Sequence, residues 1–214
     1  MIPLYDESYH SQKKPIVTIF LIALNTVIFL YFFINRNLES AIFNFGAIPK
    51  DILAGKNLKT LVSSMFLHAG FSHLIGNMWF LWIFGDNVEN KLGKIKYLIF
   101  YLLAGILSAY IHCLTAPSDL KDIPIVGASG AISGILGAYL VLFPRNKIRT
   151  FFWFYFRPIF FYVPAFFFIG VWILYQILYL STISYSAVAY TAHIGGFLAG
   201  AILIKPFKDT KIFS

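Results

Sequence analysis

Six apolar runs, following one another along the chain, constrain the fold more than any other feature. They lie near 15–34, 72–92, 97–114, 129–143, 162–180 and 189–204, and the fourth and sixth are short and rich in glycine. A helix needs about 20 apolar residues to cross the hydrocarbon layer of a bilayer. Six such spans would use about 120 residues, leaving too little of a 214-residue chain for a sizeable soluble domain. Inside lipid each run must satisfy its own backbone N–H and C=O groups, so each is expected to be helical. Charged residues make up 12% of the chain, half of the roughly 25% in an ordinary soluble domain. The expected fold class is an all-α membrane protein, a six-transmembrane-helix bundle that is multi-pass in the cell membrane. A short tail at 1–14 precedes the membrane domain at 15–205, and a second tail follows at 206–214.

The basic residues orient this bundle. With the N-terminus in the cytoplasm, the inner segments hold twelve Lys and Arg residues, from Lys13 to Lys211, and the outer segments hold five. That is a positive-inside bias, and it places both termini in the cytoplasm. The formal net charge of +8 is thus a topology signal, and no nucleic-acid partner is expected. The first run is too long for the core of a signal peptide and lacks a small-x-small cleavage site, so it reads as a retained helix. The single Cys113 excludes a disulfide framework within the chain. The segment 35–71 has the mixed apolar character of short helices lying on the membrane. The Phe-rich stretch from Phe151 to Phe161 reads as an interfacial lead-in to the fifth run. Tyr162, Tyr179, Tyr185 and Tyr190 read as interface anchors, and Asn25 and Gln176 as interhelical hydrogen-bonding groups.

Polar side chains are scarce in the runs, which gives their positions meaning. His68, His73, Asn77, Ser129, Ser133 and His193 lie just before or within the first turns of runs two, four and six. In the derived orientation these three runs all travel inward, so their polar groups share one depth near the outer face. Ionisable groups inside a membrane span mark functional sites by default. The carboxylates lie elsewhere: Glu89 is at the inner end of run two, about 24 Å along the helix from His73. There it is expected to hydrogen-bond or to pair at the inner boundary, with Lys91 and Lys94 as the charged candidates. A Ser-His dyad is therefore possible, whereas a Ser-His-Asp triad is unsupported. Runs four and six also carry small residues every fourth position: Gly130, Gly134 and Ala138 in one, and Ala192, Gly196 and Gly200 in the other. Such stripes let two membrane helices approach backbone to backbone. If they face one another, Ser129 and His193 come within reach.

A serine hydroxyl needs a base to become a nucleophile, and His193 is the available one. At the start of run four, the unpaired backbone N–H groups around Ala128 and Ser129 favour a developing oxyanion. His73 and Asn77 are four residues apart, so they share a helix face. Both can donate hydrogen bonds to the same point. Nucleophile, base and oxyanion donors together point to acyl transfer from a peptide bond, with no cofactor and no metal. A metalloprotease would need a ligand pattern such as His-Glu-x-x-His, which the sequence lacks.

Gly127-Ala-Ser129-Gly130, Ala192-His193-Ile-Gly-Gly196 with Gly200, and His68, His73 and Asn77 at spacings of five and four resemble the rhomboid intramembrane serine proteases. The resemblance runs from about Leu61 to Lys205. It implies a six-helix bundle that cuts other membrane proteins within or beside their spans, with membrane-protein substrates and lipids as partners. It implies that Ser129 and His193 are the catalytic dyad and that His73 and Asn77 are oxyanion-hole side chains. His68 and Gly127 would then be structural. Two positions depart from the family pattern. Lys59-Thr60 stands where many members have Trp-Arg, and Ser133 stands where many bacterial members stack a Tyr on the catalytic imidazole. What orients His193 is therefore left open. The alternative reading is a catalytically silent relative that binds membrane clients, which would be expected to lack Ser129 or His193.

Overall fold

The computed structural model describes residues 1–7, 14–182 and 189–209, so Lys13, Tyr185 and Lys211 lie outside the described residues. Six helices occupy the six apolar runs: α1 (Ile16–Ile34), α5 (Phe71–Leu92), α6 (Lys94–Thr115), α7 (Ser129–Leu142), α8 (Ala165–Thr182) and α9 (Tyr190–Asp209). Between α1 and α5 come three short helices, α2 (Leu38–Phe45), α3 (Pro49–Leu53) and α4 (Thr60–Ser63), followed by a 3-10 turn at Ser64–Phe66. Among the described residues two helices, α1 and α6, are by themselves long and apolar enough to cross a membrane. Helix α5 is as long as α6 but carries Asp86, Glu89 and Lys91 towards its end.

Helix α7 is the centre of the molecule. Every residue from Ala131 to Tyr139 is buried, as expected of a helix that is apolar on all sides. Helix α9 lies directly against it. A β-carbon added to Gly200 would stand 2.0 Å from the Gly134 carbonyl oxygen, and one added to Gly196 would stand 2.3 Å from that of Gly130. The two glycine stripes do face one another, at a separation that only glycine permits.

The fold is not wholly helical. Strands β1 (Ile2–Asp6), β2 (Lys147–Phe154) and β3 (Arg157–Pro164) form an antiparallel sheet in the order β1-β2-β3. The Phe-rich stretch is thus a hairpin, pairing Phe151 with Phe160 and Phe154 with Arg157. Its base is anchored by the buried side chains of Ile148, Thr150 and Val163. Its outer half exposes Phe152, Trp153, Phe154, Tyr155 and Phe156. Residues 2–6, within the segment expected as a short tail, pair with β2, Ile2 opposite Phe151 and Asp6 opposite Ile148. Trp79 Nε1 donates to the Pro3 carbonyl (2.7 Å), and Asn87 Nδ2 (2.8 Å) and the Tyr139 hydroxyl donate to the Asp6 carboxylate.

Glu89 hydrogen-bonds at the end of its helix, as one of the two expectations had it. Its partner is the start of α1 rather than a lysine: the carboxylate accepts from the Val17 N–H (2.9 Å), the Thr18 N–H (2.8 Å) and the Thr18 hydroxyl (2.8 Å). The first N–H groups of a helix have no partner of their own, and Pro15 provides no side-chain cap. A carboxylate there meets both the free donors and the positive end of the helix dipole. Asn25, for its part, donates to the Leu21 carbonyl of its own helix (2.7 Å).

Candidate active site

Ser129 is the first residue of α7, with Ala128 as its N-cap. The N–H groups of this first turn have no acceptor within the helix. Ser129 lines a cavity of about 30 Å³ together with Ser64, Gly127, Gly130, Ser108 and Ala192, enough room for a water molecule. Ser133, one turn on, donates its hydroxyl to the Ser129 carbonyl (2.7 Å) and so belongs to α7's own backbone rather than to the imidazole.

His73 and Asn77 stand on the other side of Gly127. A β-carbon on Gly127 would lie 2.6 Å from His73 Nε2 and 3.6 Å from Asn77 Nδ2. Gly127 has φ +124, a conformation that side chains resist. Geometry and space both demand glycine two residues before Ser129. The Ala69 N–H donates to His73 Nδ1 (3.5 Å), so the neutral ring carries its proton on Nε2, the nitrogen facing Gly127. Asn77 Nδ2 is buried and has no hydrogen-bond partner among the described residues. Two donors, one of them unused, therefore converge beside the start of α7.

His68 is fully buried, and neither of its ring nitrogens has a hydrogen-bond partner among the described residues. Its ring meets that of His73 edge-on, with centroids 5.1 Å apart. Burial, assisted by the neighbouring His73, pushes its pKa down to about 3. It packs as a neutral ring beneath His73.

His193 is in the first turn of α9. Gly196, one turn further along, abuts Gly130, which follows Ser129, so the α7–α9 contact carries both residues at the same end. Ser129 makes no hydrogen bond with His193 among the described residues; catalytic pairs are commonly loose without substrate and tighten in the complex. His193 Nδ1 instead donates to Gln176 Oε1 of α8 (2.8 Å). Trp172, one turn before Gln176, lies beside the His193 ring with centroids 6.2 Å apart, and Tyr190 meets the ring edge-on at 6.4 Å.

Helix α6 steadies the same region. Ser108 donates to the Ala192 carbonyl (2.6 Å), and His112 Nδ1 hydrogen-bonds the Thr191 hydroxyl (2.6 Å). Sequence reasoning missed both anchors and also missed Gln176 as the partner of His193. A signal was present, since Ser108 and His112 are four residues apart on a face that includes Ala104 and Gly105.

Comparison with known proteins agrees with this architecture. The rhomboid domain family model matches residues 55–208. YdcA of Bacillus subtilis, a rhomboid protease by name, is 36% identical over 143 residues, 63% of this chain and 66% of YdcA. The rhomboid protease GluP of the same organism is 33% identical over 145 residues, 66% of this chain but 27% of GluP. RHOMBOID-like protein 5 of Arabidopsis thaliana is 32% identical over 158 residues, 74% of this chain and 47% of that protein. The chain thus spans less than two thirds of the length of each of these relatives. With a match over most of its own length, this chain belongs to the rhomboid family.

Proposed function

We propose that this chain is an intramembrane serine endopeptidase of the cell membrane, built as a six-span bundle with both termini in the cytoplasm. It cuts membrane-spanning proteins at or just outside the outer end of their spans. Ser129 is the nucleophile and His193 the base. His73, Asn77 and the backbone N–H groups at Ala128 and Ser129 receive the oxyanion. Lipids surround it, and neither metal nor cofactor takes part. The observation that carries this reading is the convergence, beside the first turn of α7, of His73 Nε2 with Asn77 Nδ2, which has no partner among the described residues. An orphaned buried donor such as Asn77 Nδ2 is costly, and a site that must bind negative charge accounts for it.

The chemistry runs in two halves. His193 Nε2 takes the Ser129 proton as Oγ attacks the scissile carbonyl. The carbonyl oxygen becomes an anion held by the donors beside Gly127. The C–N bond then breaks, the amine leaves with the proton from His193, and water hydrolyses the acyl-enzyme by the reverse sequence. Good clients carry helix-weakening residues near the cut, because a membrane helix keeps its backbone groups internally bonded and resists opening. The test is cleavage of a single-span substrate by the purified protein in detergent. Ser129→Ala or His193→Ala should abolish cleavage with the helical content unchanged. Full activity in either variant refutes the dyad.

A further inference from the structure

Histidine acts as a base only through a nitrogen that carries no proton. In a free neutral imidazole the proton can sit on either nitrogen, and which one holds it is set by the hydrogen bond the other makes. At His193 that choice is settled by a side chain outside the dyad. Gln176 Oε1 is a carbonyl oxygen and can only accept, so the 2.8 Å bond requires the proton on Nδ1. Nε2 is left with its lone pair.

The geometry points to Gln176 as a positioning residue that fixes both the tautomer and the aim of the His193 ring. This inference rests on the Ser129–His193 reading above. Three observations carry it. Gln176 is buried in the middle of an otherwise apolar helix, where an amide without a partner is costly. Its carbonyl occupies Nδ1, which leaves Nε2 free to take a proton. Trp172, four residues earlier and so on the same face of α8, flanks the ring while Tyr190 meets it from another direction. The ring is therefore held in its plane by a hydrogen bond and from its sides by two aromatic groups. This also answers what stands in for the Tyr that Ser133 replaces: orientation comes from α8 rather than from α7. A glutamine is neutral, so it fixes the tautomer without adding a carboxylate to the site.

The experiment compares Gln176→Leu and Gln176→Glu with the wild type, using the full chain in detergent micelles. Two readouts are taken: kcat and KM on a single-span substrate, and the ¹⁵N ring spectrum of His193 in histidine-labelled protein. The wild-type spectrum should show Nδ1 protonated and Nε2 bare. Gln176→Leu should mix the two tautomers and lower kcat by at least about tenfold, within the 10²–10⁴ that a general base supplies altogether, with KM changing less than about twofold. Gln176→Glu keeps the acceptor and should restore the tautomer and most of kcat. A wild-type ring spectrum and wild-type kcat in Gln176→Leu overturn the inference. So does equal loss in both variants with the ring spectrum unchanged, which would make Gln176 a packing residue. A wild-type protein that cleaves nothing refutes the protease reading instead, while the ring spectra still decide what sets the tautomer.

Discussion

The contact between α7 and α9 gives the most direct route from packing to activity, and Gly196→Ala tests it. The added β-carbon would stand 2.3 Å from the Gly130 carbonyl oxygen and 3.2 Å from the Ser108 β-carbon. Ordinary contact begins at 3.4 Å. The obstructing atom is helix backbone and cannot rotate away, so α9 must back off by about 1 Å in a tightly packed interior. His193 is one turn from Gly196 and moves with it, while Ser129 stays with α7. A misplacement of about 1 Å can cost roughly 100-fold in rate. Overpacking of this kind costs about 1–3 kcal/mol in stability, which leaves most of the protein folded. The expected result is a turnover about 100-fold down, a modestly lowered thermal midpoint and unchanged helical content. Gly170→Ala in α8 is the control, since its added β-carbon meets nothing within 4 Å. If Gly196→Ala cleaves as fast as Gly170→Ala, the dyad does not depend on this close approach and the reasoning fails.

Asn77→Ala and His73→Ala should each reduce kcat by about 100–1,000-fold while KM changes little, and steady-state kinetics on one substrate would check this. Glu89→Ala strips the start of α1 of three charge-assisted bonds; removing even one is worth about 1.5–3 kcal/mol, so unfolding in mixed micelles should show a loss of at least that size. His68 is neutral in the folded protein down to about pH 3, whereas an exposed histidine protonates near 6.5. Between those values the unfolded chain binds the extra proton, so the contribution is complete above about pH 6.5 and is lost as pH falls towards 3. Denaturant midpoints measured at about pH 7.5 and pH 5 should therefore differ less in His68→Leu than in the wild type.

The helices were legible because their signal is local. The run expected near 72–92 is Phe71–Leu92, and that near 129–143 is Ser129–Leu142. The sheet was not. Five residues, Ile-Pro-Leu-Tyr-Asp, carry too little alternation to declare a strand, and their partner β2 lies more than a hundred residues away. Nor does the run of Phe residues announce a hairpin. Only Ile148, Thr150 and Val163 at its base face the core, and apolar side chains on both faces of its outer half hide the period of two. Glu89 shows the same limit for side chains. An acid at the end of one helix needs a partner, but Lys91 and Lys94 are close in sequence while the start of α1 is close only in space.

In the site itself, spacing along single helices made His73 and Asn77 readable as a pair, and the four-residue glycine pattern made the meeting of α7 and α9 readable in advance. Gln176 was visible only as an isolated amide. Its position shows that it must bond to something, because a buried amide left unpaired destabilises the fold; it does not show which neighbour its helix face will meet. A base, conversely, needs a group that orients it, and no carboxylate lies in a span near His193 for that task. Both requirements can be stated from the sequence alone, one of a donor looking for an acceptor and one of an acceptor looking for a donor. The 2.8 Å bond between His193 Nδ1 and Gln176 Oε1 satisfies the two at once. In a chain this poor in polar side chains, the unpaired polar groups are few enough that matching them to one another is itself a constraint on how the helices pack.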